Sequence, residues 1–142
     1  MCSYCGCRAI TVIADLTRDH EAAVNVLGDV SRSAARGDAS SARASAAALA
    51  ALLERHTRDE ELGLFVELRR EPELAEHVDS LAAEHDAVDD LVERVAGGDL
   101  TAAAPLEALL RRHIDKEENG LFPAAVIALD GPRWDTVVAA TS

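Results

Sequence analysis

Two eleven-residue stretches of this chain are near copies of each other. Residues 55–65 read RHTRDEELGLF and residues 112–122 read RHIDKEENGLF, with seven of the eleven positions identical. Each copy holds a His followed four residues later by a Glu, and each continues an apolar stripe at helical spacing. The stripes consist of Leu49, Leu52, Leu53, His56, Glu60 and Gly63, and of Leu106, Leu109, Leu110, His113, Glu117 and Gly120. A polar pair on the apolar stripe of two helices indicates a site in the core.

Helix-breaking residues divide the chain around these copies into four helical stretches. Gly37, Pro72 and the pair Gly97 and Gly98 mark the boundaries, and Pro132 follows the last stretch. Ala occurs 28 times and aromatic residues make up 3% of the chain, a composition that favours helices over strands. We therefore predict an all-α fold. Because the connections between the four helical stretches are short, we expect an antiparallel up-down-up-down four-helix bundle.

The predicted bundle occupies most of the chain. Its domain organisation is a cysteine-containing N-terminal tail over 1–8, the bundle over 9–130 and a C-terminal tail over 131–142. The tail that contains Trp134 has no predicted place in the bundle.

The charge of the chain restricts its partners. With 14 basic and 26 acidic residues the net charge is −12, which excludes a nucleic-acid binder and a protein that docks on an anionic membrane. No apolar run approaches the 18 residues of a transmembrane helix. Cys2 follows Met1 at once, with no charged or apolar leader segment, so we expect a location in the reducing cytoplasm.

Four of the five histidines fall one per predicted helix: His20, His56, His85 and His113. In an antiparallel bundle, residues at equal distances from a shared turn lie at equal height. The distances from each turn differ so little that the mismatch is at most roughly 5 Å, about one helical turn. The four imidazoles are therefore expected to meet in one layer of the interior.

Glu60 and Glu117 each lie four residues after one of these histidines, on the same helix face. Four His and two Glu in a bundle core suit two transition-metal ions bridged by the carboxylates. Without metal, two unpaired buried carboxylates would cost several kcal/mol each. A lone buried His is usually a structural residue, but four at matched height with two copies of the pair are rare by chance. Ferritin-like bundles need Glu-x-x-His, which this chain lacks.

These motifs resemble the bacterial hemerythrin-like (HHE cation-binding) domain family, over roughly residues 10–128. The resemblance rests on His20, His56-x-x-x-Glu60, His85 and His113-x-x-x-Glu117, and on the segments 60–65 and 117–123. It implies a non-haem di-iron centre with carboxylate and oxo bridges. By the same resemblance, His20 and His56 ligate one iron, His85 and His113 ligate the other, and Glu60 and Glu117 bridge them.

One departure from the oxygen-carrying members of that family affects the expected function. Leu81 and Asp89 flank His85 where those proteins have a further His, and the fourth helix lacks their Asp. A centre with fewer imidazoles is expected to react with or sense small oxidants, namely oxygen, peroxide or nitric oxide, and to work with a redox partner protein. Whether it is an oxidoreductase or a sensor stays open. The alternatives are an oxygen or iron carrier without turnover and a repair protein that donates iron to damaged iron–sulfur clusters.

Several neighbouring residues are candidates for supporting roles. Asp89, Glu61 and Glu118 are candidates for orienting the His ligands, and ideal helix phase places only Asp89 near His85. His77 is expected to be a surface residue. The equivalent Gly63 and Gly120 are expected to mark either close helix packing or a small-molecule cavity, and Phe65 and Phe122 to be core residues.

The first seven residues read MCSYCGC and hold all three cysteines, Cys2, Cys5 and Cys7, beside Tyr4. Four hypotheses for the three cysteines remain open: a soft-metal site, a redox pair, a thiol supply for the metal centre, and a tail without function. A four-cysteine zinc or iron–sulfur site is unavailable within one chain. The tail offers little apolar surface, so we expect it to modify function without supporting the fold.

Overall fold

The computed structural model describes residues 7–141, and all regular structure within that range is helical. Tyr4 and two of the cysteines, Cys2 and Cys5, lie outside the described residues. The α-helices are α1 (Cys7–Ala35), α2 (Ala39–Asp59), α3 (Phe65–Leu68), α4 (Pro72–Ala96), α5 (Ala103–Lys116), α6 (Phe122–Ala128) and α7 (Gly131–Ala140). A short 3-10 helix (Leu100–Ala102) precedes α5, and π-helical turns (Glu60–Leu64 and Glu117–Leu121) join α2 to α3 and α5 to α6.

Local sequence signals account for the ends of these helices. Gly37 and Gly98 follow α1 and α4 with φ of 70° and 103°, a left-handed conformation that other residues rarely adopt. The Asp38 carboxylate accepts a hydrogen bond from the Ser41 backbone N–H at 3.1 Å and caps α2. Pro72 occupies the first turn of α4, where its missing N–H costs nothing.

The long helices pack in a closed ring. Helix α1 packs against α2, α2 against α4, α4 against α5, and α5 against α1. Two apolar clusters fill the interior. One contains Leu27, Leu49, Val92 and Leu106, and the other contains Leu16, Phe65, Leu81 and Phe122. Along each long helix, the histidines and glutamates singled out above lie between the residues of these two clusters.

The C-terminal segment differs from the prediction of a tail. Residues 131–140 form α7, which packs on α1 and on the first π-helical turn. The Trp134 side chain is 2% exposed, and its indole N–H donates to the Leu129 carbonyl oxygen at 3.1 Å. Arg133 donates to the buried Glu67 carboxylate at 3.0 Å. A buried Trp and a paired Arg attach this segment to the same core as the other helices.

No helix of the described residues 7–141 has the length and apolar character needed to cross a membrane.

The two equivalent glycines have different surroundings. A Cβ on Gly63 would lie 3.0 Å from the Thr141 Cγ2 atom and 3.2 Å from the Val137 carbonyl oxygen, because α7 packs directly on this turn. A Cβ on Gly120 would meet nothing closer than 4.0 Å. Close helix packing therefore explains Gly63 but not Gly120.

We expect Gly63→Ala to lower the free energy of unfolding by about 1–3 kcal/mol, because α7 would have to move. The matched variant Gly120→Ala should be neutral or raise it by about 0.5–1 kcal/mol, since Ala is the better helix former. Urea unfolding followed by circular dichroism measures both changes. Equal effects of the two substitutions would contradict the packing of α7 on Gly63.

Candidate metal centre

The two repeated sequences form the two π-helical turns, and each turn begins at the Glu of its His-x-x-x-Glu pair. Glu60 starts the first turn and Glu117 the second. A π-helical turn holds one residue more than an α-helical turn, so it changes which side chains face the bundle interior. Such turns occur often at functional sites.

The structure brings the six predicted site side chains together in one buried layer. Glu60 and Glu117 have no exposed surface, and the four histidines are at most 5% exposed. They form two groups that share both glutamates, and within each group the candidate ligand atoms lie within 4.8 Å of one another. One group is His20, His56, Glu60 and Glu117, and the other is Glu60, His85, His113 and Glu117.

Each glutamate lies between histidines of two different helices. The Glu60 Oε1 atom is 3.2 Å from His85 Nε2 and 3.4 Å from His56 Nε2. The Glu117 Oε1 atom is 2.9 Å from His20 Nε2 and 3.5 Å from His113 Nε2. All four Nε2 atoms therefore face the two central carboxylates.

Most of these inward-facing atoms are buried without a hydrogen bond among the described residues. They are the Nε2 atoms of His56, His85 and His113, both Glu60 oxygens and the Glu117 Oε2 atom. Buried polar atoms without hydrogen bonds are costly, so a concentration of six in one layer indicates a binding site for a ligand. Imidazole nitrogens with carboxylate oxygens are a donor set that suits transition-metal ions, and the residues fit such a group.

An outer set of carboxylates holds the opposite nitrogen of every imidazole. Each Nδ1 lies 2.6–3.0 Å from a carboxylate oxygen of the neighbouring helix or π-helical turn. The pairs are Asp19 with His56, Glu61 with His85, Glu84 with His113, and Glu118 with His20. The contacts run in one direction around the bundle and close on themselves. Carboxylates in this position fix the ring orientation and leave Nε2 for a metal.

This outer set corrects the expectation from helix phase. Glu61, and not Asp89, contacts His85, and Glu118 contacts His20, because both lie in the π-helical turns that an ideal α-helix does not include. Sequence reasoning missed Asp19 and Glu84. Each of these two acids directly precedes a site histidine in the sequence, but it contacts the site histidine of the next helix. The repeated acid–His dipeptide was the sequence signal that could have identified them.

Two aromatic residues complete the walls of the layer. The Phe122 ring stacks on His20 with centroids 5.7 Å apart, and Phe65 stacks on His85 at 5.5 Å. Both phenylalanines are buried, which confirms the prediction that they belong to the core. Each also restricts the rotation of a site histidine.

Comparison with known sequences agrees with this geometry. The sequence model of one family, described as the hemerythrin HHE cation-binding domain, matches residues 11–125. The chain belongs to this family. The match covers all six inner residues and all four outer carboxylates of the hemerythrin domain. Among curated proteins and among solved structures no match is found.

Membership in a cation-binding family and the buried His and Glu groups together show a domain suited to binding metal. His77 is half-buried and lies outside both groups of candidate ligands. Cys7 begins α1, is disulfide-bonded, and also lies outside both groups.

The nearby carboxylates raise the pKa values of three imidazoles of the hemerythrin domain, those of His56, His85 and His113. Burial lowers the pKa of His56, but the hydrogen bond to Asp19 and the close negative charge of Glu60 outweigh burial and raise that pKa to about 10. The pKa values of His85 and His113 are also raised, since the nearby glutamates overcome the effect of burial. Burial raises the pKa of Glu60, yet His56 and His85 hold it well below its usual range.

These shifts predict how the stability of the metal-free protein depends on pH. The His56 pKa is about 10 in the folded chain and about 6.5 in the unfolded chain, so its contribution is complete below pH 6.5 and is lost as pH approaches 10. The free energy of unfolding should fall with rising pH, by up to about 1.4 kcal/mol per pH unit for each such imidazole.

Urea unfolding of the metal-free protein at intervals from pH 6 to 9 measures this slope. The variant His56→Gln should show a shallower slope than the unchanged chain. A free energy of unfolding that stays constant or rises over this range would contradict the assignment of raised pKa values to these histidines.

Proposed function

We propose that this protein is a non-haem di-iron protein that reacts with or senses small oxidants, namely oxygen, peroxide or nitric oxide. The observation that carries the proposal is the pair of overlapping His and Glu groups that share both glutamates. Two groups with common carboxylates suit two bridged metal ions better than one. We further propose that α1, α2, α4 and α5 form an up-down-up-down four-helix bundle around this centre.

In this proposal, His20 and His56 hold one iron and His85 and His113 hold the other. Glu60 and Glu117 lie between the two sets and would bridge the ions. Bound iron supplies electrons and open coordination positions for a small oxidant. The chain supplies the fixed Nε2 atoms, the bridging carboxylates and a buried layer from which bulk water is excluded.

The charges around the centre support redox chemistry. Glu60 and Glu117 bring two negative charges into a layer without exposed surface. Four partly exposed outer carboxylates add to them, of which Asp19 and Glu84 are paired with Arg55 and Lys116. Negative charge in a buried layer favours the more positively charged, oxidised metal pair. This supports a centre that gives electrons to an oxidant.

The space beside the centre supports a small reactant. A cavity of about 10 Å³ lies against His20, His56, His85 and His113, which is room for about one water-sized molecule. Its other walls include Leu53, Val88, Leu110 and Ile114. A cavity of this size and apolar character admits a diatomic molecule or peroxide and excludes an organic substrate.

We also propose a reducing compartment, the cytoplasm, where a redox partner protein returns the irons to the ferrous state and where the disulfide at Cys7 would be open to reduction. The net charge of −12 favours a partner with a basic surface.

The proposal predicts about two irons per chain after anaerobic loading with ferrous iron, and a fast absorbance change on stopped-flow mixing with oxygen, peroxide or nitric oxide. Glu60→Gln removes one charge and one bridging oxygen, so it should retain less iron and react differently while staying folded. The exposed Glu73→Gln is the matched control and should behave like the unchanged chain.

Other results would favour other functions or none of these. Fewer than about one iron per chain, with zinc bound no better, would contradict a metal centre. Reversible oxygen binding without consumption of oxidant would favour a carrier, and iron transfer to a cluster-free acceptor protein would favour repair. Full iron retention and reactivity in Glu60→Gln would show that this carboxylate is not a ligand.

A further inference from the structure

The metal centre is enclosed, so metal ions need a route to reach it. Glu60 and Glu117 have no exposed surface, and the inner atoms lie between two apolar clusters. A hydrated divalent cation cannot cross those apolar clusters without losing its water shell, which is costly. A polar path from solvent to the histidines is therefore required.

A surface groove between α2 and α4 reaches the small cavity beside the histidines. The groove has a volume of about 510 Å³, and two of its lining residues, Thr57 and Asp89, also line the cavity. On its other side the cavity touches His56, His85 and His113, whose Nε2 atoms have no hydrogen-bond partner in the described chain. Thr57 is half-buried and Asp89 is exposed, so two short side chains near the surface form the wall between the groove and the cavity.

The groove is negatively charged. Four carboxylates and one guanidinium line it, belonging to Glu54, Glu61, Asp89, Glu93 and Arg58, which gives a net charge of −3. Burial and the neighbouring Asp86, Glu61 and Glu93 raise the pKa of Asp89 against the opposing influence of His85. This accumulated negative charge attracts cations and repels anionic oxidants.

On the opposite side of the bundle the two positions that correspond to Thr57 and Asp89 are apolar, although Glu21 and Glu118 also make the groove on that side acidic. There a second groove, between α1 and α5, meets the same cavity at His20 and Ile114. Ile114 occupies the position after its site histidine that Thr57 occupies after His56, and Val24 occupies the position that corresponds to Asp89. The internal repeat thus has a polar pair on one side and an apolar pair on the other. In addition, His20 is held at both ring nitrogens by Glu117 and Glu118.

We propose that the groove between α2 and α4 is the entry route for divalent metal ions, and that Asp89 binds the ion in transit before it passes Thr57 to the histidines. This proposal rests on the proposed function, because it assumes that the buried histidines hold metal. It assigns to Asp89 a role in metal uptake in place of the orientation of His85.

Stopped-flow absorbance of cobalt(II) binding to the metal-free chain tests the route without any catalytic readout. Asp89→Asn should slow uptake about threefold to tenfold at low ionic strength, and the difference should shrink as salt screens the groove. Cobalt release should slow by a similar factor, so that the final occupancy stays at the wild-type value. Glu21→Gln, which removes the same charge from the groove between α1 and α5, is the matched control and should leave uptake unchanged.

Thr57→Leu adds a second, steric test, and it should slow uptake at every salt concentration. Circular dichroism and final cobalt occupancy confirm that each variant is folded. Equal uptake rates for Asp89→Asn and the wild type, or a larger effect of Glu21→Gln, overturn the route. Lower final occupancy with an unchanged uptake rate would make Asp89 a resident ligand and also overturn it. If the wild type binds no cobalt at all, the proposed function itself fails first.

Discussion

Two carboxylates without any exposed surface, Glu60 and Glu117, are the constraint on which the rest of this structure depends. A small helical domain cannot hold two bare carboxylates in its core, because each loses its hydration without compensation. Four imidazoles surround them, and four more carboxylates hold the imidazoles from outside. In the metal-free chain the raised pKa values of His56, His85 and His113 favour protonated rings that compensate this charge, and bound metal ions would replace those protons.

The outer carboxylates join this centre to the packing of the helices. Each long helix supplies one histidine to the centre. Each also supplies a carboxylate that contacts the histidine of the next helix, and this carboxylate lies either in the helix or in the π-helical turn that continues it. The resulting ring of contacts sets the relative height of all four helices. The π-helical turns make the ring possible, since they place Glu61 and Glu118 beside histidines of other helices. Helix α7 then packs against the first of these turns at Gly63. Rigid positioning of the Nε2 atoms follows from this packing.

The proximity of the six inner residues could be predicted from the sequence alone, because the repeat and the matched distances from the turns depend only on helical periodicity. The family and the all-helical fold followed from the same motifs and are confirmed. Asp19 and Glu84 escaped prediction because they act on a neighbouring helix, which depends on tertiary packing. The π-helical turns were not predicted because the helices were assumed to have ideal α-helical phase. Helix α7 was not predicted because it is held by contacts of Trp134 and Arg133 with Leu129 and Glu67 on other segments.

The most direct test of this account is anomalous X-ray diffraction from crystals of the iron-loaded protein, recorded on both sides of the iron absorption edge. We predict two iron peaks per chain, one against His20 and His56 and the other against His85 and His113, with Glu60 and Glu117 contacting both. A single iron peak, or iron bound away from these six side chains, would contradict it.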